Sequence, residues 1–496
     1  MQSNIRRVAL FTVAAFIAIS FALIYWQVIR AAELVNRPDN PRILERLMRE
    51  RRGSIYDREG KVLANSEVDA SGYIKRTYSE LSLAQVVGFF NPIFGSLGLE
   101  KSLDKYLSGQ YDQNQLKGLE RRLLDQPSSG LDTVLSIDLE LQKIAVEALA
   151  GADGAVVALN PKTGELLALV SNPYYDPNPL VYDLSNGTWA TEGKRINGYW
   201  EDLRQQPDRP ILNRATQGLY APGSTFKTVT LAAALELGVV KLDAHYTFDM
   251  RPPDAEHRST WHKNQFVSCQ NHSQSQLNLV DAYTWSCNVV FSELGLKIGE
   301  KQFTDFARGF GLDDKPPWLV ETAESRLNRT AGYFSGDERF YALASTAMGQ
   351  GELTVTPLQM ALITSAAANN GVIPKPQILA QVKAGDGKVI LSSKPEAWKV
   401  AMSAATASQV KEIMVRSAEE GWARAAKVKG IAVAGKTGTA EAGEGEEPHS
   451  WFIGFAPADD PQIALAIIVE HGGYGSDVAA PIARAIFEKG LAKSPR

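Results

Sequence analysis

Residues 8 to 29, VALFTVAAFIAISFALIYWQVI, are 22 nearly apolar positions in a row. Wound as a helix they would reach ~33 Å, about the thickness of a bilayer core. The rest of the chain is therefore expected to be a body fastened to a membrane by one span. Arg6 and Arg7 precede the stretch, and Tyr25 and Trp26 lie near its far end. This asymmetry keeps the N-terminus in the cytoplasm and puts everything after residue 30 outside. A cleaved signal peptide is the competing reading, but the stretch is long for one and no small-x-small site closes it.

The chain has 496 residues, enough for two or more domains. Lys and Arg number 52 against 56 Asp and Glu, for a net charge of −4, and no long basic run occurs, so no nucleic-acid partner is expected. Two cysteines, Cys269 and Cys287, suit an oxidising compartment and allow one disulfide, although sequence does not show that they meet. His262 and His272 flank Cys269, but their spacing follows no zinc pattern. Neither a metal nor a cofactor is expected.

Three parts are expected: a stub and anchor over residues 1–30, a spacer domain over 31–130, and a large domain over 131–496. The spacer is rich in charge and short helical patterns such as SLDKYLSGQ, and shows no long apolar strand. GAVVALNPKTGELLALVS, 154 to 171, has two apolar runs around a turn and predicts a hairpin. TFKTVTLAAALELG and TPLQMALITSAAANNG predict helices in a long middle stretch, and IAVAGKTGTAE, HSWFIGFAPA and PQIALAIIVEH predict three late strands. APIARAIFEKGL closes the chain as an amphipathic helix. Two early and three late strands make one five-stranded sheet with the helical middle laid against it, an α/β mixed fold with helical and sheet layers.

Within the middle stretch, YAPGSTFKTVT places Ser224 after a Pro-Gly break and Lys227 three residues later. A serine before a helix ordinarily satisfies free backbone N–H groups and does no chemistry. The S-x-x-K spacing alone is weak, since Ser102/Lys105 and Ser408/Lys411 repeat it. Two further motifs follow in order: Ser286-Cys-Asn288, the single S-x-N of the chain, and Lys436-Thr437-Gly438. A second K-T-G, at 162 to 164, sits in the expected hairpin turn and needs no catalytic explanation. The later copy opens a strand of small residues, along whose edge a peptide could lie.

The three motifs, in this order and context, resemble those of penicillin-binding proteins. RGSIYDREGKVLA (52 to 64), GLEKSLDKYLSG (98 to 109), MGQGELTVTPLQMA (348 to 361) and HSWFIGFAP (449 to 457) are similar to segments of the class B, monofunctional members. The resemblance thus runs from the spacer to near the end of the chain.

The chemistry asks for these residue types on its own grounds. A serine hydroxyl needs a base, and Lys227 lies on the same helix face within reach of Ser224. A free lysine titrates near ~10.4, so burial and a second cation, Lys436, must make it neutral. The resemblance implies that Ser286 bridges the lysines and relays a proton to the leaving amine, and that Asn288 holds the substrate backbone. It also implies backbone N–H groups of Ser224 and Thr439 as the oxyanion site, with Gly438 between Thr437 and Thr439, whose side chains bind a carboxylate beside Lys436.

The activity so implied is D,D-transpeptidation of peptidoglycan stem peptides, with β-lactams as inhibitors that acylate Ser224. The alternatives are a D,D-carboxypeptidase or β-lactamase, with water as acceptor, and, from another class, a β-lactam sensor or inactive scaffold. A sensor would need several spans or a cytoplasmic effector. The roughly hundred spacer residues are too few for a glycosyltransferase domain. The resemblance therefore implies a membrane glycosyltransferase partner of the RodA/FtsW kind, met through residues 8 to 29 and through a spacer surface holding Arg52, Gly53, Asp57 and Arg58.

Overall fold

The structure is a computed structural model, and it describes residues 2–30, 47–68, 72–111, 130–185, 187–247, 276–327, 337–443 and 445–492. Cys269, His262 and His272 lie outside the described residues. At the N-terminus a helix runs over Gln2–Ile24 and continues as a wider turn through Ile29. The candidate span covers Asn4–Ile29, 26 residues, with mean hydropathy 2.5 over its most apolar 18-residue stretch. Thr12 and Ser20 donate their hydroxyls to the carbonyls of Val8 and Phe16 on the preceding turn, so neither leaves a polar hydrogen unpaired in an apolar medium.

The expected five-stranded sheet is present. We number its strands β1 (Gly154–Leu159), β2 (Leu166–Asn172), β3 (Ala434–Ala440), β4 (His449–Ala456) and β5 (Ile463–Val469). They are antiparallel throughout, in the order β3-β4-β5-β1-β2, which leaves β3 at an edge. Side chains alternate across a strand, and β5 uses both faces. Ala464, Ala466 and Ile468 join the core shared with the helical middle, while Leu465, Ile467 and Val469 join a second core under the C-terminal helix Ala479–Leu491. Burial on both sides accounts for the uninterrupted apolar run IALAIIV. Helix Pro357–Ala368 is apolar nearly all round because it is buried nearly all round.

The spacer differs from its sequence reading. Besides the short helices Gly98–Ser102 and Asp104–Leu107, it has strands at Ile55–Tyr56, Val62–Val68 and Ile74–Tyr78. These pair onward with Asp132–Leu135, Leu379–Lys383 and Val389–Ser392 in one six-stranded sheet. The sheet thus takes strands from both sides of residue 130. The strands went unread because their inward positions are not all apolar: Arg76 is buried against Glu100, and the buried Ser66 accepts from Arg76.

Glu100 is fully buried and meets two guanidinium groups. Arg76 donates Nε to it at 2.7 Å, and Arg52 donates Nε at 3.0 Å. Arg52 also reaches Asp104 at 2.6 Å and lies over the Phe90 ring at 4.0 Å, while Arg76 binds the carbonyl of Gly53 at 2.8 Å. Tyr78 donates its hydroxyl to Glu100 at 3.3 Å and accepts the Phe90 N–H at 2.8 Å.

This arrangement corrects the expected partner surface. Arg52 is 5% exposed and Asp57 1%, so neither faces a partner. Asp57 accepts the N–H groups of Glu59 and Lys61 in a turn, at 2.9 and 2.7 Å. Within RGSIYDREG, residues 58 to 60 remain exposed.

Candidate active site

Ser224 lies in a tight turn, Gly223–Phe226, that leads straight into helix Lys227–Glu236. Pro222 supplies the fixed φ that starts the turn, and Thr225 closes it by donating to the Pro222 carbonyl at 2.6 Å. The helix is buried almost throughout, yet Ser224 at its head stays half-buried and reachable. One turn on, Lys227 points back past Ser224 and is fully buried.

The other two motifs converge on the same point. Ser286 sits between helix Leu279–Thr284 and helix Asn288–Ile298 with φ +62°, a left-handed conformation disfavoured for serine. Two backbone bonds hold it there, Ser286 N–H to Tyr283 O at 3.0 Å and Cys287 N–H to Ala282 O at 2.8 Å. Such strain at a side chain that meets two buried lysines is a mark of functional constraint. Lys436 rises from the edge strand β3 and is also fully buried.

Lys227 Nζ lies 3.0 Å from Ser224 Oγ, 2.8 Å from the Ser286 carbonyl, 3.2 Å from Ser286 Oγ and 2.5 Å from Asn288 Oδ1. Lys436 Nζ lies 3.0 Å from Ser286 Oγ and 2.9 Å from the Thr437 carbonyl. Ser286 therefore joins the two lysines, and all five sequence-predicted catalytic positions fall in one network.

Burial, and then the charge of Lys436, push the Lys227 amine well below an ordinary lysine. Burial brings Lys436 down to about 7. No carboxylate contacts either amine among the described residues. A neutral Lys227 has two hydrogens and one lone pair. Carbonyl oxygens can only accept, so the hydrogens go to Ser286 O and Asn288 Oδ1, its two shortest contacts. The lone pair is then left for a hydroxyl hydrogen, and Ser224 Oγ is the nearer hydroxyl. This is the geometry of a base holding a nucleophile's proton.

Thr437 is buried, Gly438 lies against Pro222 and Trp451 with no room for a side chain, and Thr439 is half-buried. The Gly475 N–H points at Thr439 Oγ1 from 3.5 Å. Cys287 is buried and disulfide-bonded. The comparison sites behave otherwise: Ser102 bonds the carbonyls of Gly98 and Leu319, Ser408 lies in helix Ala404–Glu419, and Lys162 pairs with Asp460 from a turn.

One supporting group escaped the sequence reading. Tyr220, four residues before the nucleophile, donates to Glu470 at 2.6 Å, and the buried Arg214 donates to the same carboxylate at 2.9 Å. The Tyr220 ring packs edge-on against His449 and Trp451 of β4, and Trp451 donates to the Ala221 carbonyl at 3.0 Å. These contacts pin the segment before Ser224 to the sheet. Tyr220 and Glu470 are 250 residues apart, and no local spacing links them.

Known proteins resemble this chain along most of its length. Residues 154–488 match the model of the penicillin binding protein transpeptidase domain, and residues 52–132 that of the penicillin binding protein A dimerisation domain. The chain is 35% identical to the peptidoglycan D,D-transpeptidase PbpA of Mycolicibacterium smegmatis, over 99% of each chain. It is 30% identical to the peptidoglycan D,D-transpeptidase MrdA of Acinetobacter baumannii, over 80% of this chain and 60% of that one. Among solved structures it resembles penicillin-binding protein A from M. tuberculosis in a penicillin G acyl-enzyme complex. The TM-score is 0.76 at 32% identity, covering 89% of this chain and all of that one.

Proposed function

The chain belongs to the penicillin-binding protein transpeptidase family, and on that premise we propose that it is a membrane-anchored serine D,D-transpeptidase that crosslinks peptidoglycan. Lys227 takes the Ser224 proton as Oγ attacks the carbonyl between the last two D-alanines of a stem peptide. The C–N bond breaks, a proton passes through Ser286 to the departing amine, and free D-alanine leaves. An amine of a neighbouring stem then attacks the Ser224 ester, loses a proton to the same network, and releases the serine. With a β-lactam the ring amide opens in the first step, and the leaving nitrogen stays tethered. Asn288 and the edge of β3 hold the peptide backbone, while Lys436, Thr437 and Thr439 hold the terminal carboxylate. The observation that carries this reading is the 3.0 Å approach of a fully buried lysine amine to Ser224, with Ser286 linking it to a second lysine.

The anchor Asn4–Ile29 holds the N-terminus on the cytoplasmic side, with residues 31–130 as spacer and 131–496 as the catalytic body, which lends three strands to the spacer's sheet. A polytopic glycosyltransferase of the RodA/FtsW kind supplies the glycan strands and is met chiefly through the anchor, since Arg52 and Asp57 are internal and only Arg58 of the expected spacer surface is exposed. Replacing residues 8 to 29 with an unrelated apolar helix should abolish co-purification with such a polymerase and leave penicillin acylation intact. Retained co-purification rejects the anchor as the contact. For the reaction itself, the full chain is given lipid-linked strands of defined stem peptide, and the products are read by mass spectrometry. Crosslinked dimers with one D-alanine released per crosslink are expected. Trimmed monomers alone would make it a carboxypeptidase.

A further inference from the structure

The segment MGQGELTVTPLQMA contributes nothing to the three motifs, yet its first turn and the helix before it together touch all three of the elements that carry them. Helix Asp337–Met348 leads into this turn. Thr230, on the Ser224 helix, donates to the Ala347 carbonyl at 2.6 Å. Ser292, on the helix that starts at Asn288, donates to the Ala344 carbonyl at 3.3 Å. Gly223, next to the nucleophile, donates its N–H to the Gly349 carbonyl at 2.9 Å.

The approach at Gly349 is close enough to forbid any side chain. A Cβ there would sit 1.8 Å from the Gly223 carbonyl oxygen, and its φ of +92° is one that other residues rarely adopt. Gly223 is pinned in turn: a Cβ on it would lie 2.5 Å from the Thr439 carbonyl oxygen. That same oxygen accepts the side-chain amide of Gln350, at 3.4 Å. Its partner comes from outside the sheet, so Thr439 presents its backbone to the free edge of β3 rather than to β4. The Gln350 backbone is itself tied to the Ser345 carbonyl at 2.9 Å.

The geometry points to Gln350 as a positioning residue for acylation: its amide fixes the Thr439 peptide against the Gly223 turn and so sets the distance between the edge of β3 and Ser224. This rests on the reading of Ser224 as the acylated residue. Without the Gln350 donor, the Thr439 carbonyl is held on that side by packing alone, and the peptide can turn about the strand axis. Misplacement of such a group by about 1 Å is worth on the order of 10²-fold in rate.

Two substitutions separate positioning from packing. Gln350→Met keeps the length of the side chain, Gln350→Glu keeps its shape, and neither can donate at neutral pH. Acylation of the full chain by a fluorescent penicillin is followed over a range of concentrations. The fit resolves the dissociation constant of the first complex from the limiting acylation rate, and melting temperature is recorded beside it. The limiting rate should fall roughly tenfold or more in both variants, with the dissociation constant and melting temperature near those of the parent. A limiting rate within about twofold of the parent, in whichever variant keeps the parental melting temperature, overturns the assignment. So does a lowered melting temperature with a smaller labelled fraction and an unchanged limiting rate in both. Label found on a serine other than Ser224 in the parent removes the premise as well, whereas label on Ser224 with unaffected Gln350 variants overturns this inference alone.

Discussion

Lys227→Ala should acylate at least ~10²-fold more slowly than the parent protein, and up to ~10⁴-fold, the range over which a positioned base acts. The substitution removes the lone pair 3.0 Å from Ser224 Oγ and leaves the other lysine, which contacts Ser286 rather than Ser224. Lys436→Ala should also slow acylation, and in addition weaken recognition of the ligand carboxylate. The double variant should be little worse than Lys227→Ala, because the groups act as one unit.

The pH profile carries the sign of the argument. Burial and Lys436 lower the Lys227 pKa, so its amine is free to take a proton over a range where an ordinary lysine is charged. Acylation falls as acid protonates it. Lys436, pushed down to about 7, loses its charge as the pH rises through that region, and carboxylate binding weakens. A bell is expected whose limbs belong to the coupled pair, and its acid limb should vanish in Lys227→Ala. Near-parental acylation by Lys227→Ala would sink the assignment of the base.

The second large effect lies far from the chemistry. Glu100→Ala should destabilise the protein by ~3–5 kcal/mol, because it strands the buried guanidinium groups of Arg52 and Arg76. Burial by itself would raise the Glu100 pKa, but the charges of Arg76 and Arg52 outweigh it and hold the carboxyl below its usual value. A depressed acid stabilises the folded state above its unfolded-state pKa, and that stability is lost as the pH falls through the folded value. The parent should therefore lose stability on acidification by a component that Glu100→Ala lacks. Urea unfolding at neutral pH and at a pH below the ordinary glutamate value measures both. A change below about 1 kcal/mol, the level of an exposed ion pair, would show that the cluster relaxes or hydrates when broken.

The same cluster explains where sequence reading stopped. The central sheet was legible because its strands are either apolar throughout, as in Ile463–Val469, or punctuated by strong turns, as at residues 160 to 164. The three motifs were legible because Ser224 and Lys227 share a helical turn, and Ser286 and Asn288 a short corner. The spacer strands were not, since charged and polar side chains occupy inward positions and are paired with Glu100, a partner that no local window contains. Arg52 was read as surface for the same reason, since a charged residue is exposed unless something distant neutralises it, whereas Asp57 is taken in by the N–H groups of its own turn. Tyr220, Glu470 and Gln350 belong to the same class, joined to the site through contacts 89 to 250 residues apart in sequence. Their roles became visible only with the fold.

The central claim is that Ser224 alone forms the acyl-enzyme. Its most direct test is to incubate the full chain with a fluorescent penicillin, digest it, and identify the labelled peptide by mass spectrometry, with Ser224→Ala in parallel. The label should lie on Ser224 and be absent from the variant. Label on Ser102 or Ser408, or label retained by Ser224→Ala, would contradict the account.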